Sequence, residues 1–321
     1  MERRTLGRTG MQVSLLGMGT GGHNCLGQRF DPPVPETEIH QLLHGVFDLG
    51  INLFDTAPGY EESEAILGRA LRALPRDEII VSTKVALTGE SERGEPVTPA
   101  SAEEIAASVE TSLRRLQLDV IDLMLITVGE RSCYDTVFDG PMEAVRALQA
   151  QGKVRFIGTS EISRRDGAHE WHQHALPKDC LDVIMIGHNM INQSAQQSIF
   201  PVCLERNVGV MNIFTVRNVF RDPVRLTEVI GELVAQDQLP PDFDQQHPFG
   251  WLLEDPDVGS LVEAAYRYAA YTPGVSTVMC GTITLDRVRQ NIAGLAKGAL
   301  HPDQIRRLEE TFGHLCTAVG N

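Results

Sequence analysis

Paired cysteines, long apolar runs and basic charge are what this chain has least of. Its six cysteines (Cys25, Cys133, Cys180, Cys203, Cys280 and Cys316) lie far apart and form no CxxC. Neither a disulfide framework nor a cysteine-built zinc site is expected, no metal site is read from the spacing, and reduced thiols in a cytoplasmic protein are the default. No stretch approaches 18 uninterrupted apolar residues, which excludes a membrane-spanning helix. The run Val13 to Met18, behind the basic Met1–Arg4, is too short for the core of a signal peptide. Lys and Arg number 28 against 43 Asp and Glu, a formal charge of −15. A field of that sign repels phosphate backbones and anionic membranes, so neither nucleic acid nor membrane is an expected partner. A single basic pocket for a small phosphate compound is still compatible with it.

What is present is a soluble globular composition, 42% hydrophobic and 22% charged, in one expected domain spanning residues 1–321. Eight short apolar runs read as strands: Ser14–Met18, Ile51–Phe54, Ile79–Thr83, Ile121–Ile126, Val154–Gly158, Val183–Ile186, Val208–Ile213 and Ser276–Met279. Most are continuous rather than alternating, as parallel strands buried on both faces require. Helical patterns fill the gaps, at Pro35–Leu49, Glu62–Leu74, Ser101 to Leu116 behind a Ser101/Glu104 capping box, and Pro141–Gln151 before Gly152. Others follow at 163–173, 195–206, 259–271 and 284–297, with a last helix at 302–317 and no strand after it. Arg3–Val13 reads as a β-hairpin ahead of the first strand. A proline-rich stretch from Phe214 to Val258, around one helix near 224–236, is a long insertion after the seventh strand and a candidate lid. Eightfold strand–helix repetition fits a closed (β/α)8 TIM barrel or an open doubly wound sheet.

Gly17-Met18-Gly19-Thr20-Gly21-Gly22 matches GxGxxG after a strand. A dinucleotide fingerprint also needs a helix at the last glycine, and none is expected before about residue 35. The loop is therefore read as a glycine-rich cap that lets backbone approach a ligand. Residues with chemical potential gather at the ends of consecutive strands: Asp55 and Tyr60, then Lys84, then Thr127, then Ser160-Glu161. In a barrel these ends share one face. An ammonium beside a phenol stabilises the phenolate, a carboxylate fixes the ammonium, and tyrosine becomes a general acid or base. Spacing alone favours a structural Asp–Lys pair with a bystander Tyr.

The chain resembles the aldo-keto reductase superfamily over nearly its whole length. The resemblance rests on Leu15-Gly17-Gly19-Thr20, on Asn52–Tyr60 with Ser63-Glu64-Ile66-Leu67-Gly68, and on Val81–Lys84. Gly152–Gly158 and Gly281-Thr282 with Gln290-Asn291 extend it. It implies a (β/α)8 barrel with an N-terminal hairpin, a mobile long loop after strand seven and an extra C-terminal helix. It further implies NADP(H), hydride exchange with a carbonyl carbon, and a catalytic tetrad of which Asp55, Tyr60 and Lys84 match three members. The fourth, a histidine in the family, is Thr127 here, a shorter group that does not titrate. His23 and His188 are further candidates to line the mouth.

At the nicotinamide end the resemblance implies contacts from Ser160 and from positions held here by Glu161 and Met185, where the family usually has Asn and Gln. A glutamate there would favour the oxidised cofactor by Coulomb attraction, unless its side chain faces solvent. Gly19, Thr20 and Phe214 are expected around the same cofactor. At the phosphate end Gly281 and Thr282 lead into a helix carrying Arg287, Gln290 and Asn291, suited to a 2′-phosphate and adenine. Arg287 pairing with Asp286 or Glu309 is the alternative. Of the aromatic residues near the mouth (Phe30, Tyr134, Phe138, Phe214, Phe220, Trp251), half are expected in ordinary packing. The expected function is NADP-dependent interconversion of a small carbonyl compound and an alcohol, in a protein able to form oligomers. Two alternatives follow from Thr127 and Glu161: action on C=C bonds or a redox-neutral lyase cycle, and a non-catalytic NADP(H)-binding sensor.

Overall fold

The computed structural model describes residues 1–22, 24–89, 97–161 and 166–317. Two short strands, β1 (Arg3–Thr5) and β2 (Gln12–Ser14), form the antiparallel hairpin, with Arg3 opposite Ser14. Eight more follow: β3 (Leu16–Gly19), β4 (Leu53–Asp55), β5 (Ile80–Ala86), β6 (Ile121–Thr127), β7 (Val154–Ser160), β8 (Val183–Gly187), β9 (Gly209–Ile213) and β10 (Thr277–Cys280). They pair in parallel in sequence order, and β10 closes on β3. The closed barrel settles the choice between the two architectures, and all eight apolar runs supply its strands.

Two apolar layers hold it. The larger lies between the barrel and its helices, where Leu43, Leu67, Val109, Val145 and Val288 meet outward-facing strand residues such as Val81, Met124 and Ile184. The smaller fills the barrel: Leu53, Leu123, Leu125, Val183, Met211 and Met279 pack with Leu6, Met11 and Val13 of the hairpin. The hairpin thus plugs the end away from the strand C-termini. Its turn sits hard on β9, since a Cβ on Gly7 (φ +50°) would lie 2.2 Å from the Gly209 nitrogen.

The capping box forms as expected: Ser101 Oγ accepts from Glu104 N (3.2 Å) and Glu104 Oε2 from Ser101 N (2.8 Å). Gly152 takes φ +77°, the left-handed end of the helix Pro141–Ala150. Two expected helices differ. Of the expected 163–173, residues 163–165 lie outside the described ones; among the rest the helix begins at Glu170 and runs to Ala175, where the Asp166 carboxylate takes the N–H groups of Glu170 (2.7 Å) and Trp171 (2.9 Å). In place of 195–206 there are two, Ser194–Ser198 and Phe200–Arg206, parted ahead of Pro201, which has no N–H to continue the ladder.

The segment after β9 is a small packed unit. The helix Pro223–Ala235 contributes Leu226, Val229, Ile230 and Leu233 to a separate apolar cluster. Phe220, Phe249 and Leu252 join it, with Leu308 and Phe312 of the C-terminal helix Pro302–Phe312.

Candidate active site

Strand register brings five chain segments to one mouth of the barrel. Gly19 stands opposite Asp55 and Cys280 opposite Met18, so the first strand joins the second and the last. Asp55 ends β4, beside Ser82 of β5. Lys84 lies two residues further along β5, and Thr127 ends β6 opposite Ala86.

Asp55 and Lys84 form a nearly buried ion pair, the side chains 8% and 12% exposed. The Lys84 ammonium donates to Asp55 Oδ2 (2.8 Å), Asp55 Oδ1 (3.0 Å) and the Thr56 carbonyl (2.8 Å). Ser82 Oγ donates to Asp55 Oδ1 at 2.7 Å. Burial works against the ammonium, but the charges of Asp55 and Tyr60 and hydrogen bonds to both lift Lys84 above the ordinary lysine range. Lys84 is therefore charged at any working pH. Its nitrogen sits 5.0 Å from the centre of the Tyr60 ring.

Tyr60 is placed by the glycine loop. A Cβ on Gly21 would fall 2.4 Å from Tyr60 Cε2 and 2.6 Å from Cζ, so only glycine leaves room for the ring. The GxGxxG pattern has that use here; the next helix starts at Glu36, and no dinucleotide fingerprint exists.

A hydrogen-bond chain unforeseen in the sequence steadies this corner. Thr20 donates to the Asp55 carbonyl through N and Oγ1, both at 2.9 Å. Ser63 Oγ donates to Thr20 Oγ1 (2.6 Å) and lies 3.0 Å from Thr56 Oγ1. Beside it buried Glu64 accepts from Thr83 Oγ1 (2.7 Å), and Gly68 lets its helix touch the backbone of Arg115 and Leu116. Ser63-Glu64…Gly68 is thus scaffold, one shell behind the chemistry. The signal for it was the motif itself, whose partners lie up to 43 residues away.

Thr127 is half-buried, and its carbonyl accepts from Leu87 N at 2.9 Å. Ser160 ends β7 and is buried; Met185 of β8 is buried among the barrel-filling side chains. Phe214 (φ +61°) lies under the Arg217 guanidinium, 3.7 Å from ring centre, and covers Gly187, whose Cβ would be 2.8 Å from the ring. Gly281 flanks Gly19, and Thr282 lies nearby at the start of the helix Leu285–Leu295. Asp286 pairs with Arg289 (2.8 Å), which leaves Arg287 exposed with no ion pair among the described residues. Gln290 is exposed too, while Asn291 donates to Cys280 Sγ at 3.2 Å.

Glu161 does not face solvent. Its side chain is buried; Oε1 accepts from Gly187 N (2.7 Å) and Oε2 lies 2.6 Å from His169 Nδ1 and 3.3 Å from His172 Nδ1. Burial pushes this carboxyl up, and the two imidazoles pull it down further, to about 2. Neither histidine was singled out in the sequence. His188 is also buried, between Phe200 and Tyr268, 3.1 Å from Thr272 Oγ1; it is core, and His23 lies outside the described residues. Tyr134 and Phe138 pack on Trp171, Phe220 on Phe249 and Trp251 under Arg307, while Phe30 is exposed.

A parallel eight-stranded barrel with a phenol over a buried carboxylate–ammonium pair at its strand ends defines a class of oxidoreductases. The chain belongs to the Aldo/keto reductase family, whose model matches residues 16–312. It is 29% identical over 312 residues to L-galactose dehydrogenase of Arabidopsis thaliana, covering 92% of this chain and 89% of that protein. It is 28% identical over 226 residues to the NADH-specific methylglyoxal reductase of Escherichia coli K12, covering 65% and 66%. The holo form of the aldo-keto reductase AKR11C1 from Bacillus halodurans superposes with a TM-score of 0.72 at 25% identity, covering 100% and 98%. Family membership carries oxidoreduction between carbonyl and alcohol groups with a nicotinamide cofactor.

Proposed function

We propose that this chain is an NADP(H)-dependent oxidoreductase that interconverts a small carbonyl compound and an alcohol, with Tyr60 carrying the proton. The observation that supports it is the stack Gly21–Tyr60–Lys84–Asp55, in which a phenol is seated against a glycine with a permanently charged ammonium beside it. Lys84 stabilises negative charge on the Tyr60 oxygen as its proton leaves. Asp55, held by Ser82 and Thr20, keeps Lys84 in place. Thr127 orients the substrate oxygen, directly or through water.

The residues present suit the cofactor on two grounds. Gly19 and Gly281 lie side by side without crowding each other, since a Cβ on Gly281 would stand 3.7 Å from the Gly19 carbonyl; they offer an open backbone flank. Arg287, unpaired in the first turn of its helix, adds a cation where the N–H groups of that turn point outward. When bound, the nicotinamide supplies or accepts the hydride. Gly281, Thr282 and Arg287 hold the phosphate end with Gln290 and Asn291; Gly19, Thr20, Ser160, Met185, Glu161 and Phe214 surround the other. Arg287 favours NADP(H), whereas one relative is named for NADH.

The test is Tyr60→Phe, assayed on a panel of aldehydes, ketones and sugars. The variant is expected to lose on the order of 10²–10⁴ in kcat while binding NADPH as before. Unchanged turnover, or a wild-type protein that ignores both nicotinamide cofactors, overturns the reading. Arg287→Ala, which raises KM for NADPH and leaves NADH alone, tests the cofactor assignment. Thr127, with no titrating group, favours one second reading, a redox-neutral cycle with turnover but no net change in NADPH absorbance.

A further inference from the structure

Across the barrel mouth from the Asp55–Lys84 pair, Glu161 meets His169 and His172. Each offers one ligand atom, and the three atoms lie within 4.8 Å of one another with all three residues buried. They come from the end of β7 and from the turn that opens the helix Glu170–Ala175. That turn is fixed by the Asp166 carboxylate on two N–H groups and by Trp171 Nε1 donating to Thr159 Oγ1 at 2.6 Å.

Hydrogen bonding among the described residues does not satisfy this cluster. Glu161 Oε1 is committed to Gly187 N and Oε2 to His169 Nδ1. His169 Nε2 and both ring nitrogens of His172 are buried with no hydrogen-bond partner among the described residues. His172 Nδ1 stands 3.3 Å from Glu161 Oε2 yet makes no hydrogen bond to it. A buried imidazole with neither nitrogen engaged calls for a missing occupant, a water or an ion.

We propose that Glu161, His169 and His172 form a binding site for one divalent transition-metal ion, with zinc as the ion the donor set suits best. Two imidazoles and one carboxylate are a recurrent zinc set, bonds of ~2.0–2.1 Å placing tetrahedral donors about 3.3 Å apart. The His172–Glu161 separation of 3.3 Å already has that value. The His169–Glu161 contact, 2.6 Å as a hydrogen bond, opens by about 0.7 Å when the shared proton is replaced by the ion. Gly187 N stays on Oε1 and orients the carboxylate from behind, as outer partners of metal ligands do. The fourth position is left for solvent. No thiol takes part, which is why the cysteine spacing gave no sign of it.

The test uses the full-length protein, stripped with chelator and titrated with zinc by calorimetry and with cobalt by visible absorption. Trp171, two residues from His169, reports through its fluorescence. One equivalent is expected to bind with micromolar affinity or better, with a tetrahedral cobalt spectrum, a rise in Tm and release of a proton. His172→Leu, an apolar filler, is expected to weaken binding on the order of 100-fold and to abolish the Tm response. Failure of the wild-type protein to bind one equivalent overturns the site and leaves water as the occupant. So does binding that His172→Leu leaves unchanged, which points to surface groups instead. Should His172→Leu not fold, His169→Gln and the wild-type cobalt spectrum decide. These readouts follow the ion and not turnover, so they stand or fall apart from the assignment of Tyr60.

Discussion

Two carboxylates are buried at the barrel mouth, three strands apart, and each leans on a basic partner. Asp55 is matched by Lys84, and every donor of that ammonium has an acceptor. Glu161 is matched by imidazoles, three of whose nitrogens have no hydrogen-bond partner among the described residues. The first pair is closed: its charge is balanced and its geometry fixed by groups on β4, β5 and the Thr20–Ser63 chain. The second is open, its three potential donor atoms gathered within 4.8 Å of one another. A saturated pair positions a neighbour, here Tyr60, whereas an unsaturated cluster takes in something else.

Breaking the closed side has the largest expected effect. Lys84→Met leaves Asp55 buried without a counter-charge, a loss of about 3–5 kcal/mol in denaturant unfolding, together with loss of turnover. If stability is unchanged, the pair is not the closed unit described. Gly21→Ala acts on the same side without touching a charge. Its methyl must displace the Tyr60 ring, and a shift near 1 Å is expected to lower kcat on the order of 10²-fold, with the Asp55–Lys84 pair intact.

The open side is sharpened by pH. Burial first, and the nearby charge of His169 second, hold His188 down to about 3. Its ring is walled by Phe200 and Tyr268 and meets Thr272. Unfolded, such a histidine titrates near pH 6.5, so below that the unfolded chain binds a proton the folded one refuses. Stability is complete above pH 6.5 and falls as pH drops toward 3, by up to about 1.4 kcal/mol per pH unit. His188→Gln should flatten the profile between pH 6 and 4; a slope equal to wild type would reassign it to other groups. The smallest effect is expected from Glu161→Gln in metal-free protein, which keeps an acceptor for Gly187 N but weakens the bond to His169, costing about 1–2 kcal/mol by thermal unfolding.

The sequence revealed the two sides unequally. The eight strands were legible because they are uninterrupted apolar runs, their closure into a barrel only through the family resemblance, and Asp55, Tyr60 and Lys84 because a recognisable motif carries them close to strand ends. Glu161 was visible as a departure from that motif, but its partners were not. His169 and His172 lie eight and eleven positions on, with no periodicity to mark them, and the Asp166 cap together with the Trp171–Thr159 bond holds them in place. The helix expected over 163–173 failed at the same spot and for the same reason: a side chain, not a repeating pattern, decides where the helix starts. Thr20 with Ser63 was equally hidden, since two hydroxyls 43 residues apart leave no local trace.

The hairpin wedged under the barrel sets Leu6, Met11 and Val13 against the side chains that fill it, so the base is solid packing. Substitutions at that base therefore register in the stability of the scaffold, a full barrel length away from the rim where Asp55 and Lys84 sit.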